Sequence, residues 1–200
     1  VKHGEFLYLI GRTGSGKSSF LKTLYADLAL TDGEGSIVDY DLTTLKESDI
    51  PYLRRKLGVV FQDFKLLSDR SVKENLLFAN PHATDEDLKQ ALIDAEALYL
   101  IERNQEGLNT KIGEGGIKLS GGERQRLAIA RALIRLPEVL IFDEATSALD
   151  SLTEKQITDT IKKLQTKSNS ITQILVAHRL STIMHVDTIY ALEKGSIVEF

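Results

Sequence analysis

The sequence contains no cysteine, which excludes disulfide bonds and cysteine-ligated metal sites and fits a reducing compartment. No apolar run approaches the roughly 20 residues that a membrane-spanning helix needs, and we recognise no signal peptide. The formal net charge is -4 and no long basic stripe is present, so we expect no nucleic-acid partner. Any role at a membrane is therefore expected to depend on a partner protein.

The composition is otherwise that of an ordinary globular protein. Hydrophobic residues make up 42% of the 200 residues and charged residues 27%, which leaves enough apolar side chains for a core. A chain of this length suits a single domain, and we assign residues 1–200 to one domain.

Four short apolar runs each end in a polar or glycine-rich element. They are residues 6–10 before Gly11, residues 58–61 before Gln62, residues 139–142 before Asp143, and residues 174–177 before His178. Continuous apolar runs of this length, separated by helical stretches, predict buried strands of a parallel sheet. Ligands of such sheets bind beyond the carboxyl ends of the strands, so we expect all four endings to meet at one edge.

Two helix starts are visible between these runs. Residues 84–87 resemble a capping box, with Asp87 in the position where glutamate is usual. Residues 151–154 match the full pattern, which predicts that Ser151 caps the helix that follows.

The rest of the chain completes an α/β fold. Residues 65–135 contain no convincing central strand, and this predicts a mainly helical insert that we assign as a subdomain. Residues 188–200 are typical of two short strands around a turn at residues 193–195. We therefore expect a mainly parallel sheet with a helical subdomain.

The strongest motif is a phosphate-binding loop between the first strand and a helix. It comprises Gly11, Arg12, Thr13, Gly14, Ser15, Gly16, Lys17, Ser18 and Ser19. The glycines allow backbone N–H groups to form an anion nest, and the helix N-terminus adds partial positive charge. Lys17 can reach the β- and γ-phosphates of a nucleotide, and the Ser18 hydroxyl can bind Mg²⁺. The chain is thus predicted to be a P-loop nucleotide-binding protein.

Asp143 and Glu144 supply the second half of the predicted site. Four apolar residues hold the pair at a strand end, where Asp143 would bind Mg²⁺ directly or through water and Glu144 would polarise an attacking water. An Asp-Glu pair in this position is otherwise typical of a polar strand end at the surface. The phosphate-binding loop makes the catalytic interpretation the better one.

A second glycine-rich segment, residues 119–126, lies upstream of Asp143. Ser120, Gly121 and Gly122 open a helix there, and an exposed helix start of this kind can bind a second anion. The segment resembles the signature sequence of ABC (ATP-binding cassette) ATPases. In that family two subunits pack head to tail, and the signature of one subunit covers the γ-phosphate bound by the other.

The resemblance covers essentially the whole chain and implies further roles. Gln62 resembles the Q-loop glutamine, which senses Mg²⁺ and the attacking water. His178 resembles the switch histidine that contacts the γ-phosphate, and residues 147–150 resemble the D-loop, which communicates across the dimer. Residues 111–116 resemble the X-loop of exporters, which contacts the transmembrane partner.

Within the family the sequence points two ways. Residues 4–75 resemble the cell-division ABC ATPase of the FtsE type, whereas the chain from about Pro81 onward resembles exporter ATPase domains. Both ends are shorter than is usual in the family, and the usual aromatic residue that stacks on adenine is not found before the phosphate-binding loop. Tyr8 or Tyr25 is the alternative candidate for that stacking role.

The resemblance implies a protein that binds Mg-ATP, forms a head-to-tail homodimer around two nucleotides and hydrolyses ATP with Glu144 as general base. It would drive a transmembrane partner from the cytoplasmic face of the membrane, in transport or in cell-division remodelling. Two alternatives remain open at this point. One is a soluble ABC ATPase of DNA repair or translation, and the other is a nucleotide-binding scaffold without catalysis.

Overall fold

The computed structural model describes residues 1–145, 149–167, 171–176 and 187–199. Within them the strands are β1 (Phe6–Ile10), β2 (Ser36–Ile37), β3 (Tyr40–Asp41), β4 (Leu57–Phe61), β5 (Val139–Asp143), β6 (Thr172–Val176), β7 (Thr188–Glu193) and β8 (Ser196–Glu199). The helices are α1 (Lys17–Leu24), α2 (Ile50–Arg55), α3 (Val72–Leu77), α4 (Asp85–Asp94), α5 (Tyr99–Glu102), a 3₁₀ turn (Gly107–Asn109), α6 (Gly121–Leu133) and α7 (Ser151–Lys167).

The main sheet has the strand order β4-β5-β6-β1-β7-β8. Every neighbouring pair is parallel except β7 and β8, which form an antiparallel hairpin at one edge. The α/β fold with a mainly parallel sheet is therefore confirmed. The predicted pair of strands at the end of the chain is also present, and its first strand extends the parallel sheet beside β1.

Both faces of the sheet are covered, which explains why its strands are continuously apolar. On one face Phe6, Tyr8 and Phe142 pack into a core shared with α4, α6 and α7. On the other face Leu9 and Ile141 pack into a second core with α1, the β2–β3 hairpin and α2. The sheet is thus packed against apolar side chains on both faces.

The segment between β4 and β5 is mainly helical, as predicted, and contains α3 to α6. Its core is continuous with one face of the sheet, because apolar residues of α4 and α6 belong to the same buried cluster as Phe142 of β5. The division of the chain at residues 65 and 135 into a separate subdomain stays a prediction.

One helix start differs from its prediction. Thr84 caps α4 as expected, with a full capping box to Asp87. At α7 the predicted cap at Ser151 is wrong, because the carboxylate of Asp150 accepts the N–H groups of Leu152 (3.1 Å) and Thr153 (3.0 Å). Aspartate and serine are comparable cap residues, and the helix starts one residue earlier than the Ser151 pattern implied.

Candidate functional site

The carboxyl ends of four parallel strands lie in one row. Phe61 of β4 pairs with Asp143 of β5, Asp143 pairs with Val176 of β6, and Val176 pairs with Leu9 of β1. The chain leaves this row at Gln62, at Glu144 and at the phosphate-binding loop. The prediction that the strand endings meet at one edge is thereby confirmed. His178 and the D-loop residues Ser147 and Ala148 lie outside the described residues.

The phosphate-binding loop bends sharply at Gly11, whose φ is +152°. A Cβ atom at this position would lie 2.3 Å from the carbonyl oxygen of Leu192 in β7, so only glycine fits there. The loop ends at Gly16, which precedes α1 with a φ of +106°. The turn after β7 also supports the loop, because the N–H of Gly195 donates to the carbonyl of Ser15 at 2.9 Å.

The contact between Gly195 and Ser15 was not predicted. It joins residues 180 positions apart, and the only sequence signal for it is the turn at residues 193–195. The C-terminal hairpin is therefore part of the framework of the phosphate-binding loop.

Lys17 is the first residue of α1 and only 4% exposed. Its ammonium group donates hydrogen bonds to the carbonyl oxygens of Gly11 (2.7 Å) and Arg12 (3.0 Å). The charge therefore lies across the loop, held by the loop's own backbone, while residues 12–14, 18 and 19 are exposed at its rim. This arrangement is typical of a loop that receives an anion through backbone N–H groups and one lysine.

Asp143 and Glu144 are both half-buried at the end of β5. Burial raises the pKa of Asp143, and the neighbouring charge of Glu144 raises it further, while Lys22 and Lys17 act in the opposite direction. Glu144 has a φ of 51°, a left-handed conformation that glutamate rarely adopts. Backbone strain of this kind is concentrated at active sites.

The residues at this edge fit Mg²⁺ bound together with a phosphate. Asp143 supplies a carboxylate and Ser18 a hydroxyl. Gln62 supplies an amide and directly follows Phe61, the residue of β4 that pairs with Asp143. Among the residues that the structure describes, no group of three or more His, Cys, Asp or Glu side chains could hold a metal ion unaided. Mg²⁺ ordinarily takes one or two protein ligands and completes its shell with phosphate oxygens and water.

Ser120 caps α6, as its sequence predicts. Its Oγ accepts the N–H of Glu123 at 3.2 Å, and its own N–H donates to the Glu123 carboxylate at 2.7 Å. Burial acts to raise the pKa of Glu123, but these hydrogen bonds and the ion pair with Arg103 hold it below the usual value. Ser120 is exposed at the helix start, and Gly121 and Gly122 of the first turn are half-buried.

The two glycines of the signature bring the starts of α6 and α7 together. A Cβ atom at Gly122 would lie 2.5 Å from the Thr153 methyl group, and one at Gly121 would lie 3.1 Å from Leu149. The signature segment therefore lies beside the D-loop end of α7, where Asp150 forms the cap.

A buried arginine anchors the signature helix. Arg126 donates from Nη1 to Glu96 (2.9 Å) after α4 and to Thr160 Oγ1 (2.9 Å) in α7, and its side chain is 11% exposed. Lys163 donates to the other oxygen of Glu96 at 2.5 Å. Hydrogen bonding by Lys163, Thr160 and Arg126 outweighs burial and lowers the pKa of Glu96 to about 2. One carboxylate thus connects three helical segments.

We expect Glu96→Gln to lower the free energy of unfolding by roughly 1–3 kcal/mol, because the Arg126 charge would lose its counterion. We expect a smaller loss of stability than for a fully buried ion pair, because the Glu96 side chain is 36% exposed. Lys163→Gln, which removes a 71% exposed partner, should cost at most about 1 kcal/mol. Urea unfolding measures both changes, and an equal effect of the two variants would contradict this account.

The comparison of the wild type with Glu96→Gln also predicts that stability depends on pH. A carboxylate with a lowered pKa stabilises the folded chain fully above its unfolded pKa, near 4.5, and this stabilisation is lost as the pH falls towards 2. The difference in stability between wild type and Glu96→Gln should therefore shrink between pH 4.5 and pH 2.

No base-stacking residue is found among the candidates. Tyr8 is fully buried in the sheet and Tyr25 is 7% exposed, with its ring edge-on to Phe61. Tyr8 has no surface on which a base could stack, and the burial of Tyr25 gives no support to a stacking role for its ring.

The segment that resembles the X-loop is attached to the start of α3. Asp69 N–H donates to the carbonyl of Ile112 (2.9 Å), and Ile112 N–H donates to the carbonyl of Arg70 (3.0 Å). Residues 114–116 of the loop are exposed beyond this attachment. The described part of the chain has no helix long and apolar enough to cross a membrane.

Comparison with known proteins decides the family. A profile described as ABC transporter matches residues 1–147. The chain belongs to the ABC transporter family. Membership in this family implies ATP binding, in agreement with the phosphate-binding loop.

Curated relatives of this ABC transporter chain align with essentially its whole length. The β-(1→2)glucan export ATP-binding/permease protein NdvA of Rhodopseudomonas palustris (strain BisB18) is 41% identical over 199 residues, covering 100% of the chain and 32% of NdvA. The leukotoxin translocation ATP-binding protein LktB of Mannheimia glucosida is 45% identical, covering 100% of the chain and 27% of LktB. The ABC transporter ATM1 of Toxoplasma gondii is 42% identical, covering 100% of the chain and 17% of ATM1.

The fold agrees with a solved structure of the same family. A bacterial Atm1-family ABC exporter with ATP bound is 37% identical and superposes with a TM-score of 0.85, covering the whole chain and 34% of the exporter chain. The chain thus spans about a third or less of the length of these proteins. The resemblance of residues 4–75 to a cell-division ATPase gains no support from these relatives.

Proposed function

We propose that this chain is the ATP-hydrolysing domain of an ABC exporter. One observation carries the proposal: Lys17 lies enclosed in a phosphate-binding loop at the same sheet edge as Asp143 and Glu144. The relatives are 41–45% identical along its whole length, and two of them carry names that describe export or translocation. This combination supports hydrolysis coupled to transport better than either alternative from the sequence.

Each residue of the site has a separate proposed role in ATP hydrolysis. The backbone of residues 11–19 and Lys17 bind and orient the phosphates of ATP. Ser18, Asp143 and Gln62 would hold Mg²⁺, which would supply positive charge next to the phosphates. Glu144 accepts a proton from the attacking water as general base. We assign the γ-phosphate contact to His178 by its resemblance to the switch histidine of the family.

Hydrolysis is proposed to need a second copy of the chain. Ser120 is exposed at the start of α6, and Gly121 and Gly122 are half-buried beside Leu149 and Thr153 of the α7 region. In a head-to-tail homodimer this helix start covers the ATP bound by the partner. We further propose that residues 114–116, which are exposed, contact a transmembrane domain and that the chain works at the cytoplasmic face of the membrane.

The binding half of the proposal is tested by Lys17→Ala. Loss of a charged hydrogen bond to phosphate, worth about 1.5–3 kcal/mol, should weaken ATP binding roughly 10- to 150-fold. Titration with a fluorescent ATP analogue measures the dissociation constant. The control is Lys89→Ala, which makes the same change of charge on the exposed part of α4.

Two outcomes would contradict the proposal. If Lys17→Ala bound ATP with unchanged affinity, the phosphate-binding loop would not be the nucleotide-binding site. Tight ATP binding without turnover at any protein concentration would identify a scaffold without catalysis.

A further inference from the structure

The loop after Gln62 has an unusual backbone. Phe64 and Lys65 both have left-handed conformations, with φ values of 60° and 47°. Side chains other than glycine rarely adopt this region, and here two consecutive residues do so. An anchor from outside the loop would help to hold this backbone in place.

Arg131 of α6 provides that anchor. Its Nη1 donates to the carbonyl of Lys65 at 2.5 Å, and its Nη2 donates to the carbonyl of Phe64 at 2.7 Å. One guanidinium group thus binds the carbonyls of both left-handed residues. Arg124, seven residues earlier on α6, lies 5.5 Å from the centre of the Phe64 ring, which is itself buried.

The geometry depends on arginine in particular. Two parallel donors from one planar fork fix the direction of two carbonyl groups, whereas a lysine ammonium is a single point charge. Burial and the nearby charge of Arg135 lower the pKa of Arg131, but an arginine stays protonated at any physiological pH. The guanidinium group therefore keeps its charge and its donors at any physiological pH.

We propose that Arg131, assisted by Arg124, is a positioning residue that fixes the Gln62 loop to the signature helix. Gln62 is three residues from Lys65 and one residue beyond β4, so the clamp sets where its side chain lies relative to Asp143. Displacement of α6 would move the loop with it, because Arg131 and the signature share one helix. The effect on turnover rests on the proposed ATPase function, whereas the clamp itself does not.

The experiment compares Arg131→Lys with Arg135→Lys. Arg135 lies four residues further along the chain, in the turn after α6, is also half-buried, and donates to the carbonyls of Ala79 and Arg54 instead of to the Gln62 loop. Both variants keep the charge and lose the fork. Hydrogen–deuterium exchange of residues 62–66 is measured without nucleotide, followed by kcat, the KM for ATP and the melting temperature.

We expect faster exchange in residues 62–66 for Arg131→Lys alone, with similar melting temperatures for the two variants. Turnover of Arg131→Lys should fall about 10- to 100-fold, the usual cost of a misplaced catalytic group, with little change in KM. Phe64→Leu, which removes the ring beneath Arg124, should give a smaller increase in exchange at the same residues. It also serves as the second variant if Arg131→Lys does not fold.

Equal exchange in the two lysine variants would overturn the clamp. Faster exchange throughout the chain, with a melting temperature lowered only in Arg131→Lys, would also overturn it in favour of a general structural role. If the wild type does not hydrolyse ATP, the proposed function fails while the exchange measurement still decides on the clamp.

Discussion

Replacement of Glu144 by glutamine should slow ATP turnover by about 100- to 10,000-fold, the usual contribution of a general base. Glutamine keeps the size of the side chain but has no oxygen basic enough to accept a proton from water. ATP should still bind, because the phosphate-binding loop and Asp143 are unchanged. Single-turnover hydrolysis and nucleotide affinity are the two measurements.

The matched control is Glu138→Gln. Glu138 immediately precedes β5, so it lies at the opposite end of the same strand from Glu144, where it pairs with Lys56 at 3.0 Å. The same chemical change there removes one surface ion pair, worth about 0–1 kcal/mol of stability, and should leave turnover unchanged. Near-normal hydrolysis by Glu144→Gln would exclude this residue as the base.

The backbone of Glu144 has a conformation that is uncommon for a residue other than glycine. Its φ of 51° places it in a conformation that costs of order 1–3 kcal/mol for a residue other than glycine. Lys194, which directly follows β7, has a similar φ of 49°, so this conformation also occurs at a strand end outside the candidate site. The strain fits a side chain that is turned away from the strand direction immediately after Asp143.

The parts of the site that the sequence predicts are those encoded locally. Four apolar runs fix the positions of the strand ends, because a strand buried on both faces needs no polar residue until it ends. The cap at Thr84 and the opening of α6 at Ser120 follow from a few neighbouring residues. Position along the chain was enough to place Gln62 and Glu144 at one edge.

The parts that the sequence does not predict depend on contacts between distant segments or on ambiguous local signals. Asp150 and Ser151 are both good cap residues, and only the structure shows that Asp150 is used. The β2–β3 hairpin has positive φ values at Val38 and Asp39, a turn for which Asn-Gly is the usual sequence signal. Strands of two residues are too short to show a recognisable pattern of apolar and polar residues in the sequence.

The long-range contacts are the more important omission, because they support the site. Gly195 binds the carbonyl of Ser15 across 180 positions, and Arg131 binds the carbonyls of Phe64 and Lys65. Glycines at the surface and arginines in helices occur in many structural roles. The residue type alone therefore does not indicate which carbonyl group each one binds. Their roles appear only when the backbone carbonyls they reach are known.

The composite site leads to the second large expected effect. Ser120→Arg should reduce hydrolysis roughly 100- to 1,000-fold, the scale of losing a group that stabilises transition-state charge. A long charged side chain at the exposed start of α6 would also obstruct the partner's nucleotide. ATP binding to the variant's own loop should persist, because Lys17 and the loop backbone are intact.

Thr84→Arg is the control for the loss of the cap itself. Thr84 is also an exposed cap residue with a full capping box, but it begins α4. Both variants lose a cap worth about 0.5–2 kcal/mol. If helix stability were the cause of the lost activity, both variants would lose activity alike, whereas the interface proposal expects loss only in Ser120→Arg.

Mixing two inactive variants then separates action within one chain from action across an interface. In a heterodimer of Ser120→Arg with Lys17→Ala, one site combines the intact Lys17 of the first chain with the intact Ser120 of the second, and the other site contains both defects. Adding excess Lys17→Ala to Ser120→Arg should therefore restore turnover at one site per heterodimer. The restored activity should rise with total protein concentration, since it depends on dimer formation. No recovery in the mixture, together with concentration-independent turnover in a monomeric wild type, would place the signature's action within a single chain.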